Sequence, residues 1–291
     1  MLMLVGAGAY RTRLLDELAI RKITDFVLMV VTPCLIITAF QRPFDRSMLP
    51  GLGWAFFGGA IGHTTGIILA RLLLRDADDR RQRVMRFATV FSNAGFMGLP
   101  LEYAILGNDG VFFGIAYVAM FNLFCWTYGV WEIGVAGNGW RRMVINPGTV
   151  GLAIGLALFF MPWRLPEVIA SPIAMIGAMN TPLPMIVIGF QLAGAAFLPA
   201  FRFRKTYLML ACRHFLVPLA VLGVMMCLPS VNRTVRLVTV IAASCPIGVL
   251  LTMFTLKARG DLDYATALVS LSTLISVITL PLMVGIARGL L

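Results

Sequence analysis

The densest cluster of residues able to do chemistry is Phe91-Ser92-Asn93-Ala94-Gly95-Phe96-Met97-Gly98-Leu99-Pro100-Leu101-Glu102-Tyr103, which sets a polar pair, two glycines, a proline and a carboxylate inside an apolar run. Proline lacks an N–H and its ring clashes with the carbonyl four residues back, so a helix here is expected to break near residues 96–99. A broken helix presents free amides at the start of its second half, where the positive end of the dipole favours an anion. The Asn93 carboxamide can donate to a carboxylate or accept from a cation. These residues offer a site for a small carboxylate; the competing reading is a proline kink beside a glycine-rich packing face.

A counterpart follows at Ala243-Ser244-Cys245-Pro246-Ile247-Gly248. Interrupted segments at corresponding positions of two halves point to a transporter's substrate site, and the candidate set is Asn93, Gly95, Gly98, Pro100, Gln191, Ser244 and Pro246. Thr32-Pro33, Gln41, Thr181-Pro182-Leu183-Pro184 and Gly189-Phe190-Gln191 add polar groups that either line a cavity or bond across helices. Ionisable residues within apolar spans are costly and therefore suspect. Glu102 either couples protons or snorkels to the outer surface. Arg213 either neutralises a substrate carboxylate or, the reading preferred from sequence, sits at the cytoplasmic boundary near headgroups. His63, between Gly62 and Thr64, is explained by an interhelical hydrogen bond, and two isolated histidines make no metal site. HExxH, P-loop and G-x-S-x-G patterns are absent, so neither catalysis nor a cofactor is expected.

The elements that must hold these residues are apolar. Of 291 residues 59% are hydrophobic and 13% charged, and the mean hydropathy is +0.90, whereas soluble domains carry roughly a quarter charged residues. A helix needs roughly 20 apolar residues to cross a core of about 30 Å. Runs at 1–10, 23–41, 52–74, 87–106, 110–131, 147–162, 168–197, 207–228, 236–256 and 264–288 give ten predicted helices. The first reaches only about 15 Å at 1.5 Å per residue; either its start lies upstream or the helix is abbreviated. It lacks a basic leader and a cleavage site and is expected to belong to the first span. Five cysteines stand singly in apolar runs and are expected to be buried thiols.

The net charge of +11 sits in loops between these runs, which favours lipid headgroups over nucleic acid. Alternate loops carry seventeen Lys and Arg against six on the other side, and the richer side is expected to be cytoplasmic, with both termini periplasmic in a bacterial inner membrane. At an offset of 150, Arg86, Thr89, Val90, Gly98, Leu101, Leu106 and Gly110 meet Arg236, Thr239, Val240, Gly248, Leu251, Leu256 and Gly260. Five spans is an odd number, so a duplicated half enters from the opposite side. This predicts an all-α membrane protein of two inverted five-helix repeats, residues 1–131 and 147–291, joined by a cytoplasmic linker at 132–146.

Residues 92–101 resemble the fourth-helix crossover motif of the auxin efflux carrier family. Thr32-Pro33-Cys34-Leu35, Asn146-Pro147, Pro182-Leu183, Ile188-Gly189-Phe190-Gln191-Leu192-Ala193, Arg213 before Pro218, and Pro246 agree in order and spacing, so the resemblance spans about residues 5–288. It implies ten helices, broken crossover helices four and nine, elevator-like alternating access, and contact between Asn93 and a substrate carboxylate, with Pro246 marking the partner crossover. The short first helix, Glu102 where the family usually has an apolar residue, and the missing long cytoplasmic loop are departures; the last implies a compact bacterial form. The expected function is secondary transport, by efflux or exchange, of small organic anions such as malate, malonate or auxin-like acids. A passive pore and a non-transporting receptor or scaffold are the alternatives. The expected partners are the anion and membrane lipid, and a homodimer is compatible with the reading.

Overall fold

The computed structural model describes residues 1–42, 45–135, 147–161 and 164–291; the linker from 136 to 146, including Asn146, lies outside them. The described residues are helical, with one isolated antiparallel bridge between Ser92 and Ile247. The helices are α1 (Leu2–Arg11), α2 (Glu17–Phe40), α3 (Met48–Leu73), α4 (Asp79–Val90), α5 (Ala94–Ile133), α6 (Pro147–Phe160), α7 (Glu167–Ala178), α8 (Pro182–Ala193), α9 (Leu198–Phe201), α10 (Arg204–Met226), α11 (Arg233–Ser244), α12 (Leu250–Lys257) and α13 (Leu262–Leu290). Six candidate spans are long and apolar enough to cross a membrane: α2, α3, α5, the α7–α8 pair, α10 and α13.

Three prolines shape three of these helices in the same way. A wide, π-type turn stands directly before Thr32-Pro33 (Val27–Val31), before Leu99-Pro100 (Ala94–Gly98) and before Val217-Pro218 (Cys212–Leu216). Proline cannot donate to the carbonyl four back and its ring presses on it, so an enlarged turn keeps the helix continuous where a regular turn would clash. Within α5 the chain turns back at Gly107, whose φ of +65° is open to glycine: residues 94–106 and 108–133 pack against each other, so that a Cβ on Gly110 would strike the Glu102 carbonyl and one on Gly114 its carboxylate, and the runs predicted at 87–106 and 110–131 are separate helical segments.

The helices form two bundles. α1, α2, α6, α7 and α8 pack together, with α1 crossing α8 so closely that a Cβ on Gly6 would strike the Ile186 carbonyl and one on Gly189 the Met3 carbonyl. The remaining helices form a larger bundle built around α5, α11 and α13. The bundles meet through apolar contacts: Phe40 of α2 against Phe112 of α5 at 4.7 Å, and Val27, Val31, Val187 and Ile188 in one cluster with Phe96 and Met97.

Three of the basic loops predicted to share one side converge at one end of the larger bundle. Arg81 lies 4.0 Å over the Phe203 ring, Thr206 and Tyr264 share a buried hydroxyl pair at 2.7 Å, and Arg71 and Arg86 reach Glu132 at 3.6 and 3.5 Å. In the same loop Arg81 pairs with Asp76 and holds its carboxyl below the usual carboxylate range. The opposite end carries Arg42–Asp109 at 2.7 Å and Arg233, which donates to the Arg288 carbonyl at 2.8 Å.

Candidate functional site

The two interrupted segments cross each other. α4 ends at Val90, Phe91 is extended (φ −99°, ψ 103°), and α5 starts at Ala94. α11 ends at Ser244, Cys245 is extended (φ −62°, ψ 150°), and α12 starts at Leu250. The two breaks run antiparallel around the Ser92–Ile247 bridge: Asn93 N–H donates to the Pro246 carbonyl at 2.7 Å and Gly248 N–H to the Phe91 carbonyl at 2.9 Å. Each break therefore satisfies backbone groups that its own helix has released, as an apolar interior requires.

The first break lies earlier than the expected residues 96–99. Pro100 sits in the first turns of α5, where its missing donor is tolerated, and Ala94–Gly98 form the wide turn in which Met97 and Gly98 both donate to the Asn93 carbonyl, at 3.0 and 3.1 Å. The second break falls at Pro246 as predicted. Thr89 stands one residue before the end of α4 and Thr239 five before the end of α11, so the register of sequence identity differs from that of the breaks by about one helical turn.

Four helix ends meet here, and they differ in charge and occupancy. At the C-terminal ends the buried Arg213 donates from one nitrogen to the Thr89 and Val90 carbonyls, at 2.9 and 3.4 Å, and from the other to the Ala243 carbonyl. The expectation of an interfacial Arg213 is overturned. It is 1% exposed, because carbonyls orphaned at the ends of α4 and α11 need a donor, and the negative dipole ends favour a cation. At the N-terminal ends, the amides of Ala94, Gly95 and Phe96 precede the first bond of α5, and Val249 and Leu250 begin α12.

Asn93 is buried among these amides, yet its carboxamide bonds to no described side chain or backbone group. Gly95 is open: an added Cβ would meet only Val118, at 3.8 Å. Gly98 is a close approach, since a Cβ there would lie 3.3 Å from Cys245 Sγ. The Ser244 hydroxyl donates to the Val240 carbonyl at 2.6 Å, so its proton is committed within α11. Gln191 is not gathered with these residues; it is exposed near the end of α8. Gln41 lines a cavity of about 290 Å³ with Thr38, Asn108 and Ser171, and its buried Oε1 has no partner.

Glu102 does not snorkel to the surface. It is 1% exposed, because its side chain turns inward over glycines rather than outward. His63 bonds within its own helix, Nδ1 to the Gly59 carbonyl at 2.7 Å, and packs among Phe91, Tyr117, Phe121 and Phe124; no interhelical bond is made, since aromatic rings surround the other nitrogen. Of the cysteines, Cys125, Cys212 and Cys245 are buried, but Cys34 is half-buried and Cys227, at the end of α10, is exposed.

One set of supporting residues went unrecognised in the sequence. Ile247 N–H donates to Ser272 Oγ at 3.0 Å, Ser272 lies 2.9 Å from His214 Nε2, and His214 Nδ1 lies 3.0 Å from Thr279 Oγ1, which donates to the Ile275 carbonyl at 3.3 Å. With the Thr279 proton so used, a neutral His214 donates from Nδ1 and accepts at Nε2 from Ser272, which ties the second break to α13. The signal was readable as Ser272, Ser276 and Thr279, one stripe at helical spacing through an apolar helix. Asn180, before Thr181-Pro182, was also passed over; it accepts from Thr32 at 3.0 Å.

Long apolar helices whose polar atoms converge on a buried crossover define a multi-pass membrane protein of a transport class. The chain matches the membrane transport protein family over residues 1–139 and 133–284 and belongs to that family, the family of the auxin efflux carriers. It is similar to an uncharacterized transporter of Methanothermobacter thermautotrophicus, 26% identical over 273 residues, 88% of this chain and 85% of the relative.

Proposed function

We propose that this transporter is a secondary carrier of small organic anions, with carboxylates as the substrate class and the crossover as the binding site. The observation that carries the reading is the asymmetry of the four helix ends. Arg213 occupies the C-terminal carbonyls, whereas the N-terminal ends of α5 and α12 are left with free amides and the unpaired carboxamide of Asn93. Each N-terminus contributes roughly half a positive charge, and a carboxylate seated there receives backbone donors without a facing lysine or arginine.

The larger bundle holds the whole crossover, while the smaller one touches it through Val187 and Ile188 against Phe96 and Met97. Sliding of one bundle on the other across these apolar contacts supports alternating access, with the anion riding on the larger bundle. We place the basic loop end in the cytoplasm of a bacterial inner membrane, and we read the two crossing segments as the fourth and ninth of ten helices in an inverted repeat.

The test is a thermal-shift panel of mono- and dicarboxylates and indole acids on the purified protein and on Asn93→Ala. A carboxylate at 100 times its Kd stabilises wild type by about 2.7 kcal/mol and leaves the variant unshifted. A shift of equal size in Asn93→Ala would remove Asn93 from the site. Ohmic single-molecule currents, in place of saturable exchange in proteoliposomes, would replace the carrier by a pore.

A further inference from the structure

We propose that Glu102 carries a proton together with the anion, so that the chain works as a proton-coupled symporter; this rests on the carrier reading above. The geometry that points to it is a carboxyl group enclosed next to the crossover without a counter-ion. Glu102 Oε2 is buried and has no hydrogen-bond partner, and no ion pair among the described residues includes it.

Helical side chains lean toward the N-terminus, which carries this carboxyl back toward the break. The point where Gly98 would bear a Cβ lies 3.9 Å from Glu102 Oε1 and 3.3 Å from Cys245 Sγ, so the carboxyl and the second break flank one glycine. On the other side a Cβ on Gly114 would collide with Oε2, and the absence of that side chain makes the space the carboxyl occupies. Its titratable neighbours are Tyr117 of α5 and Cys245 of the second break, both of which also interact with Arg213 of α10. None of these is a cation within bonding reach of Glu102.

An ionised carboxylate without a partner is far costlier to enclose than the neutral acid. The group therefore holds its proton while the crossover is closed. A substrate anion seated at the α5 amides adds like-charge repulsion to Glu102, which makes proton loss harder still. Proton binding and anion binding thus favour each other, and the coupling is reciprocal. The carboxyl O–H bond forms as an O–H bond of hydronium breaks on the side where the anion enters, and it breaks as water takes the proton to re-form hydronium on the side where the anion leaves.

The experiment uses wild type and Glu102→Gln in proteoliposomes, with labelled malate and malonate as probes and the membrane potential clamped. Exchange of external for internal label, at equal pH on both sides, first reports whether the carrier reading stands. An inward proton gradient of one unit is then expected to support about tenfold accumulation in wild type, the free energy of one coupled proton, and none in Glu102→Gln while exchange persists. Infrared difference spectra of the two proteins at neutral pH supply a reading without substrate: the wild type shows a carboxylic-acid C=O band that the variant lacks. Exchange without any response to the gradient, or gradient-driven accumulation that survives in Glu102→Gln, overturns the coupling and leaves the carrier intact. Loss of exchange in wild type overturns the carrier reading and the coupling with it.

Discussion

Arg213 shows how one residue can hold a broken pair of helices together. Its two terminal nitrogens satisfy carbonyls from α4 and α11 at once, across chain separations of more than a hundred residues for the first and thirty for the second. Hydrogen bonds to charged donors contribute about 1.5–3 kcal/mol each, and a buried acceptor left unmade costs about 1–3 kcal/mol. Arg213→Gln is therefore expected to destabilise the protein by on the order of 3–5 kcal/mol, read by denaturant or thermal unfolding in detergent. Arg213→Lys recovers part of this, because one ammonium cannot span both helix ends as a planar guanidinium does. Equal stability of the three proteins would mean that the carbonyls find other donors.

At the scale of elements, the crossover depends on how closely two breaks approach. Gly98 and Gly95 are three residues apart in one wide turn but differ in surroundings: Cys245 Sγ stands 3.3 Å from a Cβ at Gly98, whereas Gly95 has only Val118 at 3.8 Å. Gly98→Val is expected to push the breaks apart and cost about 1–3 kcal/mol, the usual range for overpacking. Gly95→Ala is expected to keep the melting temperature, its methyl meeting only Val118 at 3.8 Å, and to lower carboxylate affinity. The two variants separate packing from binding: melting curves distinguish the first, ligand-induced shifts the second. The wide turns before Pro33 and Pro218 show the same economy, each keeping a helix whole across a proline, whereas the one before Pro100 opens the helix that follows the first break.

For the molecule as a whole, the two ends differ in charge, and the end richer in Lys and Arg is expected to face the cytoplasm. Cys227 is the exposed thiol at the end of α10, beside the loop leading to Arg233 and away from the Arg71, Arg81 and Arg86 end. In intact cells a membrane-impermeant maleimide is expected to label Cys227, and a cysteine placed at Arg202 only after the membrane is opened. The reverse pattern would invert the topology while leaving the fold as described.

Much of this architecture was legible in the chain. Composition and the spacing of apolar runs dictated a helical membrane protein, because the bilayer interior forces every backbone group to be paired within its own segment. Asn93, Pro246 and the flanking glycines stood out because polar and helix-breaking residues are costly in such runs, and the 92–101 motif carried the family. What the sequence left open was decided by contacts distant along the chain. The true position of the first break, about five residues earlier than the proline-based expectation, follows from pairing with Pro246 and Gly248 on the second interrupted segment. The burial of Arg213 follows from the orphaned carbonyls of two separate helices, and the enclosure of Glu102 from the empty space at Gly98 and Gly114. Local pattern determines that the chain is helical and apolar enough to cross a membrane, and where its helices are weak; among the described residues six of its helices are long enough to span. Only the tertiary structure decides which partners relieve that weakness, since the satisfying groups come from residues that spacing along one helix does not bring into view.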